Sequence, residues 1–414
     1  MNNNLVEHFF RHEYGHLVAV LTQKVGFSHI QDVEDAVQNA LITALESWKH
    51  KGTPDKPHAW IYRVASNNVI GTLRQNNRRS EILEQKLDAT ESIDETDIES
   101  MLSNEFKDGI LNWLFICCHP SIPIESQLVF ALKTLCGFSI KEIAIRLFIS
   151  EANVYKRYSR ARTYLKNHSN ELSQLKRIDH SIRLSAVNKV LYLIFTEGYL
   201  SSHLEHSIRS EMCEDAMRLT TILVDNSVGK VPESFALLAI MHLHIARLPA
   251  RKNNANELLL LEQQDRGLWD QNHIHQGLHW LSHASVGDDF SRYHAEAGIA
   301  IEHCLAPTFN QTRWDKIVKC YDLLEKTSPS ALHRLNKSVA LAQWQGAEVG
   351  LTDLNKQNTP QWLLDSYQYH AVQSDLNRRC GNIKQAEISA QIAMEMAPTP
   401  AIKKSLSSRL KVNC

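Results

Sequence analysis

From Ser28 onward, apolar and polar positions alternate with the 3.6-residue period of an amphipathic helix. Val33, Ala36, Val37, Ala40, Leu41, Ala44, Leu45 and Trp48 share one face, which predicts a long helix. Ser28 and Gln31 have the spacing of a capping box at its start. Asp32, Glu34, Asp35, Gln38, Asn39 and Glu46 lie off the apolar face. The first turns are therefore acidic, as the helix dipole prefers. A loop from Lys49 to Pro57 with three Lys and two Pro follows. Pro57 suits the first position of a second helix, whose buried side is Ile61, Val64, Ala65, Val69 and Leu73. At about 100° per residue, Arg63, Asn67, Arg74 and Arg78 fall on the opposite side and are continued by Arg79.

The stretch Ser139–Lys166, SIKEIAIRLFISEANVYKRYSRARTYLK, reads as two short helices joined by a tight turn. Ser139 with Glu142 is a capping box, and Ile140, Ile143, Ala144 and Leu147 repeat at helical spacing. Ser150 caps the next helix, with Val154, Tyr158, Ala161 and Leu165 as its buried stripe. Its outer face carries Asn153, Tyr155, Lys156, Arg157, Ser159 and Arg160. Seven Lys or Arg against two Glu across the stretch suit a helix laid in a DNA major groove. A solvated basic face on an ordinary helical protein has the same pattern. Phe148 stands where many helix-turn-helix units have Gly.

Between these two parts, Asp88 to Phe106 holds seven Asp or Glu and no Lys or Arg. Such composition reads as an extended connector. An acidic connector would separate two basic modules while letting both grip one duplex. Period-two alternation is nearly absent from the whole chain, and helical periodicity recurs to its end. Fifteen Gly and eleven Pro are few for 414 residues. The expectation is an all-α protein of several domains.

Formal net charge is −1, so nucleic-acid affinity has to be local rather than global. Eight Cys without a CxxC pair point to reduced thiols and away from a disulfide framework or Cys-based zinc site. The polar MNNN start has no secretory pattern, and the apolar run Val190–Phe195 is too short to cross a bilayer. A cytoplasmic protein without membrane association is expected.

His12, Glu13 and His16 form a literal HExxH, the pattern of zinc hydrolases, with Glu34 at a plausible remove for a third ligand. Against this, Phe9, Leu17, Val20 and Leu21 make the same segment an ordinary core helix. His275, His279 and His283 share one helix face and are read as packed or surface His without a ligand role. No Ser/His/Asp order, phosphate-cradling Gly loop or dinucleotide fingerprint occurs. No enzymatic activity, metal or cofactor is expected.

Residues 7–80 and 108–168 resemble regions 2 and 4 of a bacterial RNA polymerase sigma factor of the extracytoplasmic-function group. DVEDAVQNALITALESW resembles region 2.2, AWIYRVASNNVIGTLRQNNRR resembles region 2.3–2.4, and IPIESQLVFALKTLCGFSIKEIAIRLFISEANVYKRYSRAR resembles region 4. The resemblance implies core RNA polymerase as partner, through its β′ clamp helices and β flap, and promoter DNA. It implies that Asp32, Glu34, Asp35 and Gln38 face the clamp helices. It assigns Lys51, Lys56, Arg63, Asn67, Arg74 and Arg78 to the −10 element, where a base is flipped from the non-template strand. Asn153, Tyr155, Lys156, Arg157, Ser159 and Arg160 are assigned to the −35 element. The acidic linker, 81–107, would thread the cleft that the transcript later occupies. Two departures bear on the −10 contacts: Gly71 stands where the group has Asp, and Arg74-Gln75 where it has Arg-Arg.

The rest is extension, expected as helical domains at 180–290 and 291–412. It resembles the tetratricopeptide-like C-terminal extension of one sigma subgroup at LYLIFTEGY, LLLLEQQDRGLWD and SPSALHRLNKSVALAQWQGAEVGL. Gly381, Ala386, Ala393 and Pro398 are spaced for two closely crossing helices, with a degenerate counterpart near Gly346 and Gly350. Stacked helix pairs offer concave surfaces for a protein partner. Glu262, Asp265, Arg266, Trp269 and Asp270 read either as lining such a surface or as an internal ion-pair seam. The resemblance implies that the extension regulates activity. A rival from another class is a stand-alone helix-turn-helix regulator with a helical-repeat sensor domain.

Overall fold

The computed structural model describes residues 3–76, 109–147, 149–172, 177–199, 210–253, 259–398 and 400–410. The acidic stretch 81–107, Arg78, Arg79 and Phe148 lie outside the described residues. Among those described, regular structure is helical throughout, as the periodicity predicts. Helices of eight or more residues are numbered in chain order. Two compact units are formed, one of residues 1–197 and 214–229, the other of 198–213 and 230–414. The expected 180–290 segment is thus divided between them.

In the first unit, α1 (Asn3–Val25), α2 (Ile30–Lys51) and α3 (Pro57–Asn76) pack against one another. Leu17, Leu21, Val33, Val37, Ile61, Ala65 and Val69 fill their core. Pro57 opens α3 as predicted, since the missing amide hydrogen is an orphan at that position anyway. The start of α2 differs from expectation. A short 3-10 turn, Phe27–His29, absorbs Ser28, and no side chain caps the helix. His29 Nδ1 instead lies 3.3 Å from Asp32 Oδ2. The apolar face of α2 is also narrower than predicted, because Leu45 is half exposed. Trp48 does turn inward, its ring centroid 5.7 Å from those of both Phe10 and Trp60.

A helix described over 109–117 (α4), α5 (Ile124–Thr134), α6 (Ile140–Leu147) and α7 (Glu151–Asn167) follow. Trp113, Phe115, Phe130 and Phe138 are fully buried among them. The Trp113 indole donates to Thr134 Oγ1 at 2.9 Å, so the one polar atom of that ring is satisfied. Two glycines let α1 lie directly on the end of α5. A Cβ on Gly15 would fall 2.6 Å from the Leu135 carbonyl oxygen. Gly137, at φ +71°, would bring a Cβ within 2.4 Å of the Arg11 carbonyl oxygen. Helix α8 (Arg177–Tyr199) then covers α4, with His180 stacked on Phe115 at 4.5 Å between centroids. Helix α9 (Ser210–Asp225) follows.

The second unit is a succession of packed helices. It runs through α10 (Pro232–Ile245), α11 (Gln271–Ala284), α12 (Arg292–Leu305), α13 (Trp314–Thr327), α14 (Ala331–Gln345) and α15 (Ala347–Lys356). It ends in α16 (Tyr367–Arg379), α17 (Ile383–Glu395) and α18 (Pro400–Leu410). Each helix from α10 packs on the next. Small residues set the crossings. At Gly350 an added Cβ would lie 2.5 Å from Ala342 Cβ, so α14 and α15 meet backbone to backbone. Gly381 makes the turn between α16 and α17 at φ +82°, and Ala386 and Ala393 are fully buried behind it. No described helix is long and apolar enough to cross a membrane.

Candidate nucleic-acid interface

The turn between α6 and α7 is built by local hydrogen bonds that the sequence encodes. Glu142 N–H donates to Ser139 Oγ at 3.2 Å, and Ser139 N–H donates to Glu142 Oε2 at 2.7 Å. Ser150 Oγ accepts from Asn153 N–H at 3.2 Å. Both caps hold as predicted. Val154, Tyr158, Ala161 and Leu165 are all buried, and the Phe130 and Tyr158 rings stack at 5.5 Å. With that stripe anchored on α5, the other side of α7 turns outward. Tyr155, Lys156 and Arg160 are exposed, and Asn153, Arg157 and Ser159 are half-buried.

Four of these six residues converge. Asn153, Lys156, Arg157 and Arg160 line a cleft of about 260 Å³ together with Glu125 and Ser126. The last two stand in the first turn of α5, which no side chain caps. Three cationic side chains thus meet a helix N-terminus, where partial positive charge and amide donors favour an anion. The Ser126 hydroxyl is buried and has no hydrogen-bond partner among the described residues. The Glu125 carboxylate on the rim opposes the cations. Sequence reading missed Ser126 and Glu125. The signal was the Pro-Ile-Glu-Ser run, a helix start with a hydroxyl in its first turn.

A second basic face lies on α3. Arg63, Asn67 and Arg74 are exposed along one side, opposite the buried Ile61, Ala65, Val69 and Leu73. Lys51 is exposed at the end of α2, and Lys56 is half-buried in the following loop. A line of guanidinium and amide groups of this kind suits phosphate contacts.

The acidic start of α2 does not expose all four residues that the resemblance assigns to docking. Asp35 and Gln38 are exposed and Asp32 is half-buried, but Glu34 is only 8% exposed. Glu34 Oε1 accepts from the Tyr14 hydroxyl at 3.1 Å, and Oε2 accepts from the Tyr158 hydroxyl. Lys133 Nζ donates to the Tyr14 hydroxyl at 3.0 Å. Burial raises the Glu34 carboxyl above its usual pKa, although both phenols and the Lys133 charge oppose that shift. Burial likewise lowers the Lys133 ammonium, with Glu34 opposing. The physical reason for the correction is tertiary: helical phase describes α2 alone, and α7 arrives from 124 residues away.

The other candidate sites fare differently. Glu13 of the HExxH run is buried and is met at 2.8 Å by His58 Nδ1, on α3. His275, His279 and His283 are exposed along α11, and no group of metal-ligating side chains forms among the described residues. Asp265 and Asp270 cap nearby backbone amides, so of the two readings of this cluster the ion-pair seam finds no support among the described contacts.

Comparison with known proteins matches three segments of the chain. Residues 9–79 match the sigma-70 region 2 family, and residues 113–165 match sigma-70 region 4. Residues 183–285 match a family of unknown function (DUF6596). An uncharacterized protein of Rhizobium meliloti (strain 1021) is 29% identical over 387 residues, covering 92% of this chain and 91% of the relative. No solved structure matches significantly. The region 2 and region 4 matches support a sigma-70-family sigma factor that binds core RNA polymerase and promoter DNA to start transcription.

Proposed function

We propose that this chain is a sigma factor of the extracytoplasmic-function group whose C-terminal helices regulate its activity. The observation that carries the reading is the pair of separate basic faces, one on each sigma-70 module. The cleft of Lys156, Arg157 and Arg160 takes the −35 element, with base edges read by Asn153, Tyr155 and Ser159. The exposed Arg63, Asn67 and Arg74 side of α3 takes the −10 element, helped by Lys51, Lys56 and Arg78. Asp32, Asp35 and Gln38 dock on the β′ clamp helices, and Glu34 joins them only after α7 leaves it. The second unit, a run of closely crossing helix pairs, is read as tetratricopeptide-like and offers a surface to a protein partner.

This function requires the first unit to open. The two promoter elements lie about 25 base pairs apart, roughly 85 Å at 3.4 Å per pair along one strand. Tyr158 and Glu34 are in hydrogen-bond contact, so both modules cannot engage their elements in this arrangement. Breaking that contact frees the carboxylate of α2 for polymerase and α7 for DNA at a distance. Polymerase binding thereby selects the open form, and the closed form withholds the Glu34 carboxylate until then.

The test is promoter-specific transcription by sigma-free core polymerase, with and without the full chain. Transcripts that depend on the protein support the assignment. Promoter binding without initiation would instead identify a stand-alone regulator with a helical sensor domain.

A further inference from the structure

Outside the two sigma-70 modules in sequence, the second unit holds three arginines with no carboxylate partner among the described residues. Arg247 follows the C-terminus of α10, and its guanidinium carbon stands 5.5 Å from the centroid of the Trp269 ring. Arg266 approaches the same ring to 4.5 Å. Arg251 lies 4.1 Å from the Tyr199 ring centroid and donates to the Tyr199 carbonyl. Arginine stays protonated in proteins, so three positive charges are held in partly buried surroundings. Burial, and after it the charge of Arg247, pulls the Arg266 guanidinium below its usual pKa. Burial and the Arg247 charge act on Arg251 in the same direction, with the Tyr199 phenol opposing.

Three carboxylates close to them in sequence are engaged elsewhere. Asp265 accepts from Gly267 N–H, Asp270 from Asn272 and His273 N–H, and Glu302 pairs with Arg313. Helix dipoles answer part of the charge. One Arg266 nitrogen, Nη1, donates to the His303 and Ala306 carbonyls at the end of α12. That leaves several buried polar atoms unaccounted for. Arg247 Nε, Arg266 Nη2, Trp269 Nε1 and His303 Nδ1 are buried without a hydrogen-bond partner among the described residues. Trp269 is 3% exposed and His303 is 9% exposed. Buried polar atoms gathered in one place are ordinarily satisfied, and where no protein group does so an ordered water or a bound anion takes the position.

We propose that Arg247, Arg251 and Arg266, with Trp269 Nε1 and His303 Nδ1, bind a small oxyanion, a carboxylate or phosphate group. Charge-assisted donors, one indole N–H and one imidazole are the chemistry that recognises such a group. A ligand here sits between the end of α10, the 266–269 turn and the end of α12. It therefore ties three elements of the second unit together and gives that unit a chemical signal to sense.

The test is titration of the purified full chain by calorimetry with inorganic phosphate and, separately, with succinate, each against chloride at matched ionic strength. The Trp269 indole N–H resonance, assigned by Trp269→Phe, is followed in parallel. Saturable binding of either anion that moves this resonance, weakens at least tenfold in Arg247→Gln and survives in Arg160→Ala supports the site. Which anion binds tells phosphate from carboxylate. Binding equal in wild type and Arg247→Gln, or no saturable binding of either anion beyond chloride, overturns it. Circular dichroism checks that Arg247→Gln folds; if it does not, Arg251→Gln provides the same comparison.

Discussion

The hydroxyl of Tyr158, on the helix that carries the basic face, donates a hydrogen bond to the Glu34 carboxylate at the acidic start of α2. One buried contact therefore joins the surface proposed for DNA to the surface proposed for polymerase. Lys133 and Tyr14 extend it into a chain, ammonium to phenol to carboxylate. Such a network is stable only while all its members are satisfied, which makes it a natural point of control.

Glu34 should give stability a distinctive pH dependence. Its pKa is raised above 4.5 in the folded chain, mainly by burial. The folded state thus holds this proton to higher pH than the unfolded state. The carboxyl favours folding most below pH 4.5, and that advantage is lost as pH rises through the raised folded value. Glu34→Gln cannot titrate. In urea titrations at closely spaced pH, wild-type stability minus that of E34Q should fall across this window and level off above it. A difference that stays flat or climbs contradicts the buried carboxylate.

Opening of the first unit should be visible as distance. Thr43 on α2 and Lys166 on α7 are both exposed and carry no proposed contact. Dyes at these two positions should transfer energy efficiently in the free protein. Transfer should drop sharply once core polymerase and promoter DNA are added together. Unchanged transfer in an active complex would rule out separation of the modules.

Promoter affinity should depend on salt through α7. Lys156→Ala and Arg160→Ala each remove a phosphate-range cation from the cleft. Each should weaken binding to a −35 fragment and lower the salt slope by about 1. Filter binding at four or five salt concentrations measures both. Slopes identical to wild type would remove these residues from the interface.

Asp35 tests the polymerase face. It is exposed on α2, so Asp35→Lys should leave helix content unchanged while weakening association with core polymerase by tenfold or more, about 1.4 kcal/mol. Polymerase affinity equal to wild type, measured by fluorescence anisotropy, would remove α2 from the docking surface.

Gly15 tests the seam between α1 and α5. A Cβ there meets the Leu135 carbonyl carbon at 3.0 Å and its oxygen at 2.6 Å, and backbone cannot rotate away as a side chain does. Gly15→Ala should destabilise the first unit by about 1–3 kcal/mol despite alanine's better helix propensity. Chemical denaturation with circular dichroism reads the result. A stabilised variant would mean the two helices are not in contact.

Much of this was legible along the chain, because it depends on neighbours within one helical turn. The caps at Ser139 and Ser150, the buried stripe of α7, the first residue of α3 and the exposed Arg63 side follow from spacing and local hydrogen bonding. The expectations that failed did so for local and for distant reasons. Ser28 lost its cap role to a 3-10 turn, and Leu45 is half exposed. Helical phase placed Glu34 in water, whereas Tyr14 and Tyr158 close over it. Within the HExxH run, Glu13 meets His58 and Gly15 serves packing, two relations that the string does not encode.

The sequence by itself determined which segments are helices, which faces are apolar and which are basic, since those follow from residue order and helical period. Only the tertiary structure decided that α7 meets α2, that Ser126 joins the basic cleft, and that three arginines share one neighbourhood with no carboxylate partner among the described residues. Those relations depend on side chains brought together across tens to more than a hundred residues, and no local period records them.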